Sequence, residues 1–310
     1  MEVFLYILFN NIAPIFAIII IGYGLAAKFK IEIDSLSKIY FYFFLPGLIF
    51  VKLYETEFRL ELLNVFLFGV LMIIIMGLLS RLISYFRKHD SSMNGVLKNS
   101  LILYNSGNFG LPLVMLVFTG TAHATYAVSI QIVIMIIQNL ASYTLGFYNA
   151  GRGHLRLKDS LKKIMSLPAI YAIVLALLLK YFNYDIKDFF LWPAIKHAEK
   201  GLIPVALITL GTQLYYARFR LSNADVYLAA CARLFGGPLA AFVLIKLMGL
   251  DGIMGQVLFI SSSVPAAINS ALIAVEFKNQ ADFASQTVLT TTIFSTITLT
   301  GVIYLSNILF

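Results

Sequence analysis

The feature that most limits this chain is the length of its unbroken apolar runs. Ile15 to Ala26 reads IFAIIIIGYGLA, Val65 to Leu79 reads VFLFGVLMIIIMGLL, and Ile132 to Gly146 reads IVIMIIQNLASYTLG. None has the polar stripe that a helix on a soluble core needs. Apolar stretches of about 18 or more residues recur along the whole length, enough for a helix to cross a bilayer. Inside hydrocarbon every backbone N–H and C=O must be satisfied within the protein, which for such runs means helices. Composition agrees. Of 310 residues, 60% are hydrophobic and 12% charged, against roughly a quarter charged in soluble domains. The chain reads as an all-α integral membrane protein.

The runs resolve into ten spans, at about 9–28, 36–54, 62–85, 97–118, 124–148, 164–182, 199–217, 225–247, 253–277 and 283–308. The longest polar connection, 149–163, reads NAGRGHLRLKDSLKK and divides the chain into 1–148 and 164–310. Lys and Arg set the orientation. Of 23 basic residues, 15 fall in the loops after spans 1, 3, 5, 7 and 9: Lys28, Lys30, Lys38, Arg81, Arg87, Lys88, Lys98, Arg152, Arg156, Lys158, Lys162, Lys163, Arg218, Arg220 and Lys278. Those loops are expected in the cytoplasm and both termini outside. The net charge of +8 is then accounted for by basic loops, and no nucleic-acid partner is expected.

Other classes are weakened by what the chain lacks. The first apolar stretch opens on Glu2 with no basic segment, so no cleavable leader is expected. The single cysteine, Cys231, allows no disulfide framework. The four histidines (His89, His123, His154 and His197) are scattered without metal-ligand spacing. No metal and no cofactor are expected. No Ser/His or paired-Asp pattern lies at membrane depth, so the chain does not read as an enzyme.

The prolines suggest an internal repeat. Pro14, Pro46 and Pro112 lie in spans 1, 2 and 4. Pro168, Pro204 and Pro265 follow in spans 6, 7 and 9, at separations of 154, 158 and 153 residues. APIFAI in span 1 resembles PAIYAI in span 6. Five spans is an odd number, so a second copy enters the membrane from the opposite side. The expected fold is an inverted five-plus-five repeat, a plan used by secondary transporters.

Span 4 interrupts itself with NSGNFGLPL, Asn105 to Leu113. Aligned on proline, its partner in span 9 is FISSSVPAA, which sets Asn108 opposite Ser261 and Gly110 opposite Ser263. Proline removes a backbone donor and clashes with the carbonyl four residues earlier. Open backbone at membrane depth is tolerated where it is buried in protein or lines a wet cavity. Two matched breaks therefore point to a midplane binding site. Second half-helices starting near Leu111 and Val264 would present free N–H groups and the positive end of the helix dipole, which suits an anion such as a carboxylate. Asn105, Asn108, Ser261, Ser262 and Ser263 add side-chain hydrogen bonds, Gly107 and Gly110 allow close approach, and Asn269 follows Pro265 by one turn.

NSGNFGLP resembles the N-x-G-N-x-G-x-P signature of the auxin efflux carrier family, which includes the plant PIN carriers and many bacterial carriers. The resemblance extends over essentially the whole chain: FLPGLIF in span 2, IPVALITLGTQL in span 7, RLFGGP in span 8, VPAAINSALIA in span 9 and TIFSTITL in span 10. It implies a scaffold of spans 1, 2, 6 and 7, often a homodimer interface. It also implies a moving part of spans 3–5 and 8–10, with spans 4 and 9 crossing at Pro112 and Pro265. The family moves organic anions by an elevator-type motion, and its bacterial members are associated with malate, malonate and other carboxylates. The long central cytoplasmic loop of many plant PIN carriers is absent here.

Other polar residues inside spans complete the candidate set. Arg233 lies about 12 Å deep in span 8 at helical rise, either as a substrate-carboxylate or gating partner or snorkelling to the surface. Gln131 and Gln138 share a face of span 5 beside Asn139, and Thr291, Ser295 and Thr298 stripe span 10. Both sets read as lining the crossover or as interhelical hydrogen-bonding groups. No Asp or Glu sits near either break. The leading expectation is a secondary carrier of small organic anions in a bacterial-type cytoplasmic (inner) membrane, with the lipid bilayer as its surroundings. The alternative is a cation-coupled carrier of another solute on the bile-acid-symporter plan.

Overall fold

A computed structural model of the chain describes residues 2–55, 61–151, 165, 168–216 and 223–310. Among the described residues it is helical apart from short connections and one isolated bridge between Tyr104 and Ala266. Most of the connection 149–163, with Arg152, His154 and Arg156, lies outside the described residues, as do Arg218 and Arg220.

Among the described residues six helices are long and apolar enough to cross a membrane: α1 (Leu5–Phe29), α2 (Ile33–Glu55), α3 (Leu62–Arg87), α5 (Ala124–Ala150), α8 (Ala224–Met248) and α10 (Ala281–Leu309). The other four expected spans are helical too, but each departs from an unbroken apolar rod. Span 4 is two half-helices, α4a (Ser91–Ile102) and α4b (Ser106–Val117). Span 9 is likewise α9a (Gly252–Ser261) and α9b (Ile268–Glu276). Span 6 appears as α6 (Pro168–Tyr181). Span 7 is α7 (Trp192–Tyr216), which starts seven residues earlier than 199 and so takes in Lys196. Lys38 and Lys98, expected in loops, sit within α2 and α4a.

Most of the prolines bend these helices without ending them. Wide π-type turns occupy Leu8–Ile12, Tyr40–Phe44, Ser106–Gly110 and Ala232–Gly236. Each ends two residues before a proline: Pro14, Pro46, Pro112 and Pro238. A proline ring clashes with the carbonyl four residues back, and widening that turn relieves the clash while the chain stays helical. The bonds show the wider step, with Ala13 N–H donating to Leu8 O and Leu45 N–H to Tyr40 O.

The helices pack as two groups. In the first, α7 packs along α1 and α2, and α6 along α2. Glycines set the α1–α7 spacing. A Cβ on Gly22 would lie 2.5 Å from the Ile208 carbonyl oxygen, and one on Gly211 would strike the Ile19 carbonyl. Without a hydrophobic drive between helices in lipid, such close backbone contact supplies much of the attraction. Buried charge joins α2 to α7: Lys52 Nζ lies 2.7 Å from Glu199, and Lys196 Nζ lies 2.8 Å from Glu199 and 3.0 Å from Glu55.

In the second group α3 packs on α4a, α5 and α8, and α10 on α8, α9a and α9b. Amide side chains tie it together at one end. Asn99 Nδ2 donates to Gly146 O at 2.7 Å, Asn149 Nδ2 to Asn99 Oδ1 at 2.9 Å, and Asn279 Nδ2 to Ala150 O at 3.1 Å. Asp90 starts α4a by accepting the Met93 N–H at 2.8 Å, which satisfies one of the first-turn donors.

Candidate functional site at the helix crossing

The two broken helices meet at their breaks. Asn105 N–H donates to Pro265 O at 2.9 Å, and Ala267 N–H donates to Leu103 O at 2.9 Å. The two bonds are one bond repeated. Exchanging Leu103 with Pro265 and Asn105 with Ala267, each 162 residues apart, turns the first into the second. The N–H groups between them are served from neighbouring helices in the same paired way. Tyr104 N–H donates to Gln138 Oε1 of α5 at 3.1 Å, and Ala266 N–H to Thr291 Oγ1 of α10 at 3.1 Å. The four backbone donors at the crossing itself, on Tyr104, Asn105, Ala266 and Ala267, are thus re-bonded.

This register corrects the expected one. The second half-helices begin at Ser106 and Ile268, not near Leu111 and Val264. The crossing pairs Tyr104 with Ala266, so Asn108 does not stand opposite Ser261, nor Gly110 opposite Ser263. Pro265 lies in its break, but Pro112 lies within α4b, past a π-turn that absorbs its clash, and is not at the crossing. The reason is that the two prolines are not equivalent: Pro112 follows Asn105 by seven residues, while Pro265 precedes Ala267 by two. Aligning on proline shifts the halves by nine residues here.

Arg233 is completely buried, so it does not snorkel. It rises from the π-turn of α8 to the C-terminal ends of both first half-helices. Nη1 donates to Leu101 O at 3.1 Å, Nε to Val264 O at 3.2 Å, and Nη2 to Ser262 O. Its guanidinium also lies 4.7 Å from the centre of the Tyr104 ring. Helix C-termini leave carbonyls free and carry the negative end of the dipole, so a cation with several in-plane donors fits them. Gly237, one turn on, leaves the room: a Cβ there would sit 2.7 Å from Ser262 O and 3.1 Å from the guanidinium carbon.

On the other side of the crossing lies a cavity of about 40 Å³. Asn105, Ser106, Gly107 and Asn108 of α4b, Gln138 and Asn139 of α5, and Asn269 of α9b form its polar wall. Tyr40, Phe41 and Leu45 of α2 form the aromatic wall opposite. Three of its residues carry buried polar atoms with no hydrogen-bond partner among the described residues: the Tyr40 hydroxyl, Asn105 Nδ2 and Gln138 Nε2. The Tyr104 amide holds the Gln138 oxygen, which fixes the orientation of that side chain and leaves its NH₂ group as a donor.

Of the expected site residues, Asn105, Gly107, Asn108, Gln138 and Asn269 therefore come together around one cavity. The rest are placed elsewhere. Gln131 Nε2 donates to Ser106 O at 2.8 Å and holds the first turn of α4b against α5 beside Gly110. Ser263 Oγ donates to Phe259 O at 2.7 Å within its own chain turn, while Ser261 and Ser262 are buried by the end of α9a outside the cavity wall. Ser295 Oγ bonds to Thr292 O at 2.7 Å inside α10, and its neighbour Thr291 reaches the crossing instead. Sequence reasoning missed Tyr40. It stands in the aromatic run YFYFF, which in a membrane span reads as a lipid-facing surface.

The comparisons with known proteins agree with this architecture. A family profile described as membrane transport protein matches residues 7–303. An uncharacterized transporter of Methanocaldococcus jannaschii is 24% identical over 270 residues, covering 84% of this chain and 85% of its own. An uncharacterized transporter of Methanothermobacter thermautotrophicus is 22% identical over 298 residues, covering 94% and 95%. The profile is one of transporters, not of enzymes. The chain belongs to this membrane transport family, the auxin efflux carriers whose signature its span 4 resembles.

Proposed function

We propose that the chain is a secondary carrier of small organic anions, which holds the substrate carboxylate in the cavity at the crossing. The observation that carries this is the set of unpaired buried donors on Asn105, Gln138 and Tyr40 around one cavity, with no acidic residue in its wall.

Charge bookkeeping points the same way. Each helix end carries the equivalent of roughly half a charge. The two C-terminal ends at the crossing, together about −1, face the fixed +1 of Arg233. The N-terminal ends of α4b and α9b, together about +1, have no such partner among the described residues. One carboxylate balances them. The carbonyls that a coupling cation would seek are already held by the guanidinium, which disfavours the cation-coupled alternative. Tyr40, Phe41 and Leu45 supply an apolar surface for the body of the acid, whether a malate- or malonate-like acid or an auxin-like aromatic one.

The cavity volume bears on the motion. About 40 Å³ is little more than the roughly 30 Å³ share of one water. An organic acid enters only if the wall on α2 separates from α4b, α5 and α9b. That wall belongs to the first packing group and the rest to the second, which supports an elevator-type movement of α3–α5 with α8–α10 against α1, α2, α6 and α7. The inverted ten-span repeat, with both termini outside the cytoplasmic membrane, draws support from the paired bonds 162 residues apart. A homodimer through α1, α2, α6 and α7 is part of the same reading.

The test is uptake of labelled malate, malonate and indole-3-acetate into proteoliposomes, with and without a sodium gradient. Saturable, sodium-independent flux of at least one acid is expected. It should be lost in Asn105→Ala at unchanged folded yield. Absence of flux for any carboxylate, or flux that requires sodium, would overturn the anion reading.

A further inference from the structure

We propose that the groove between α3, α4a and the end of α5 binds an anionic phospholipid. The groove has a volume of about 660 Å³ and shares no residue with the crossing cavity. Two cations line it: Arg81 on α3 and Lys98 on α4a. Arg81 precedes the end of α3 by six residues and Lys98 follows the start of α4a by seven. At 1.5 Å per residue both lie about 10 Å in from the short turn that joins these helices. Neither has an acidic partner among the described residues, and no carboxylate lines the groove. Arg87, nearly two turns beyond Arg81, is by contrast paired with Asp225 at 2.9 Å.

The remaining wall says where the counter-charge comes from. Ile74 and Leu78 on α3 and Tyr148 on α5 are more than half exposed on the outer surface, where a membrane helix meets acyl chains. Gly77 lets the Lys98 stem lie against α3, with Lys98 Cε 3.5 Å from where a Cβ would stand. Basic residues this far inside a span are costly without a partner. A phosphodiester between Arg81 and Lys98, with its chains along Ile74 and Leu78, supplies that partner and covers the apolar wall. A soluble phosphate covers only the charged end.

The experiment uses the full-length protein with Trp192→Phe and Leu78→Trp, so that the one tryptophan reports on the groove. It is reconstituted in phosphatidylcholine vesicles containing brominated phosphatidylglycerol or brominated phosphatidylcholine. Brominated phosphatidylglycerol should quench at a lower mole fraction by tenfold or more. Arg81→Gln and Lys98→Gln should each reduce that preference about fivefold. Equal quenching by the two lipids overturns the proposal without any charge variant being needed. So does a preference that survives both substitutions together, and so does full displacement by glycerol 3-phosphate, which would make the groove a soluble-anion site.

Discussion

Buried charge is handled in opposite ways at the scaffold contact and at the crossing. Between α2 and α7, Glu199 sits against Lys52 and Lys196, and Lys196 also meets Glu55. Two acids and two bases close the account locally. At the crossing, Arg233 meets three carbonyls and an aromatic ring, and no acid. The first arrangement needs nothing from outside and suits a contact that stays fixed. The second leaves the half-helix N-termini on the cavity side without a fixed counter-charge among the described residues. Under the proposed carrier function, the first arrangement belongs to the frame and the second to the part that holds the anion.

The most severe way to break the comparison is Arg233→Leu. It strands three carbonyls at membrane depth, at about 1–3 kcal/mol each, and removes the charge between two helix C-termini. The sum rivals a typical folding margin of about 5–15 kcal/mol. Folded, monodisperse yield should collapse, while Arg233→Lys, which cannot span all three carbonyls, should rescue only part of it. Normal yield and melting for Arg233→Leu would mean that the crossing does not depend on a fixed charge.

Next is the scaffold. Glu199→Gln removes the buried acid that Lys52 and Lys196 share and should lower the melting midpoint. The paired change Lys52→Met with Glu199→Met should recover most of that loss, since apolar replacements of a buried pair are often neutral, and transport should survive. A double variant as unstable as the single one would show that these charges do more than hold two helices together.

A finer cut separates the two side chains that serve the crossing amides. Gln138→Leu and Thr291→Val each remove one acceptor, from Tyr104 and Ala266, and should destabilise by about 1–2 kcal/mol. Only Gln138 lines the cavity. Gln138→Leu should therefore cut anion uptake tenfold or more, with Thr291→Val much milder. Equal losses of uptake would assign both to architecture alone. At the bottom of the scale, Lys38→Ala removes an exposed pair with Asp34 and should leave melting and transport unchanged.

The spans were legible because hydrocarbon imposes a simple demand on the backbone, and the apolar runs answer it residue by residue. NSGNFGLPL stood out because small and amide residues rarely interrupt such a run, and Asn105, Gly107 and Asn108 line the cavity. The position of the break was not legible. Proline chemistry pointed to Pro112, yet a wider turn absorbs that proline, and Leu103 to Asn105 leave the helix because their partners lie 162 residues away. No local pattern encodes a pairing at that distance. Arg233 stood out as a buried charge, but its carbonyl partners become visible only when two helix ends are brought side by side.

The crossing also sets a constraint on how the protein is made. A ribosome delivers Leu103 to Asn105 long before Pro265 to Ala267, and the bonds that satisfy the first segment are supplied by the second. The guanidinium that steadies both emerges in between. Until α9a and α9b enter the bilayer, the broken helix of the first half exposes unpaired amide and carbonyl groups, each worth several kcal/mol in hydrocarbon. That half has to wait near water or in the care of the insertion machinery. Nascent chains halted before residue 264 should therefore be conspicuous to membrane proteases, and assembly of the first half is completed only when the last spans arrive.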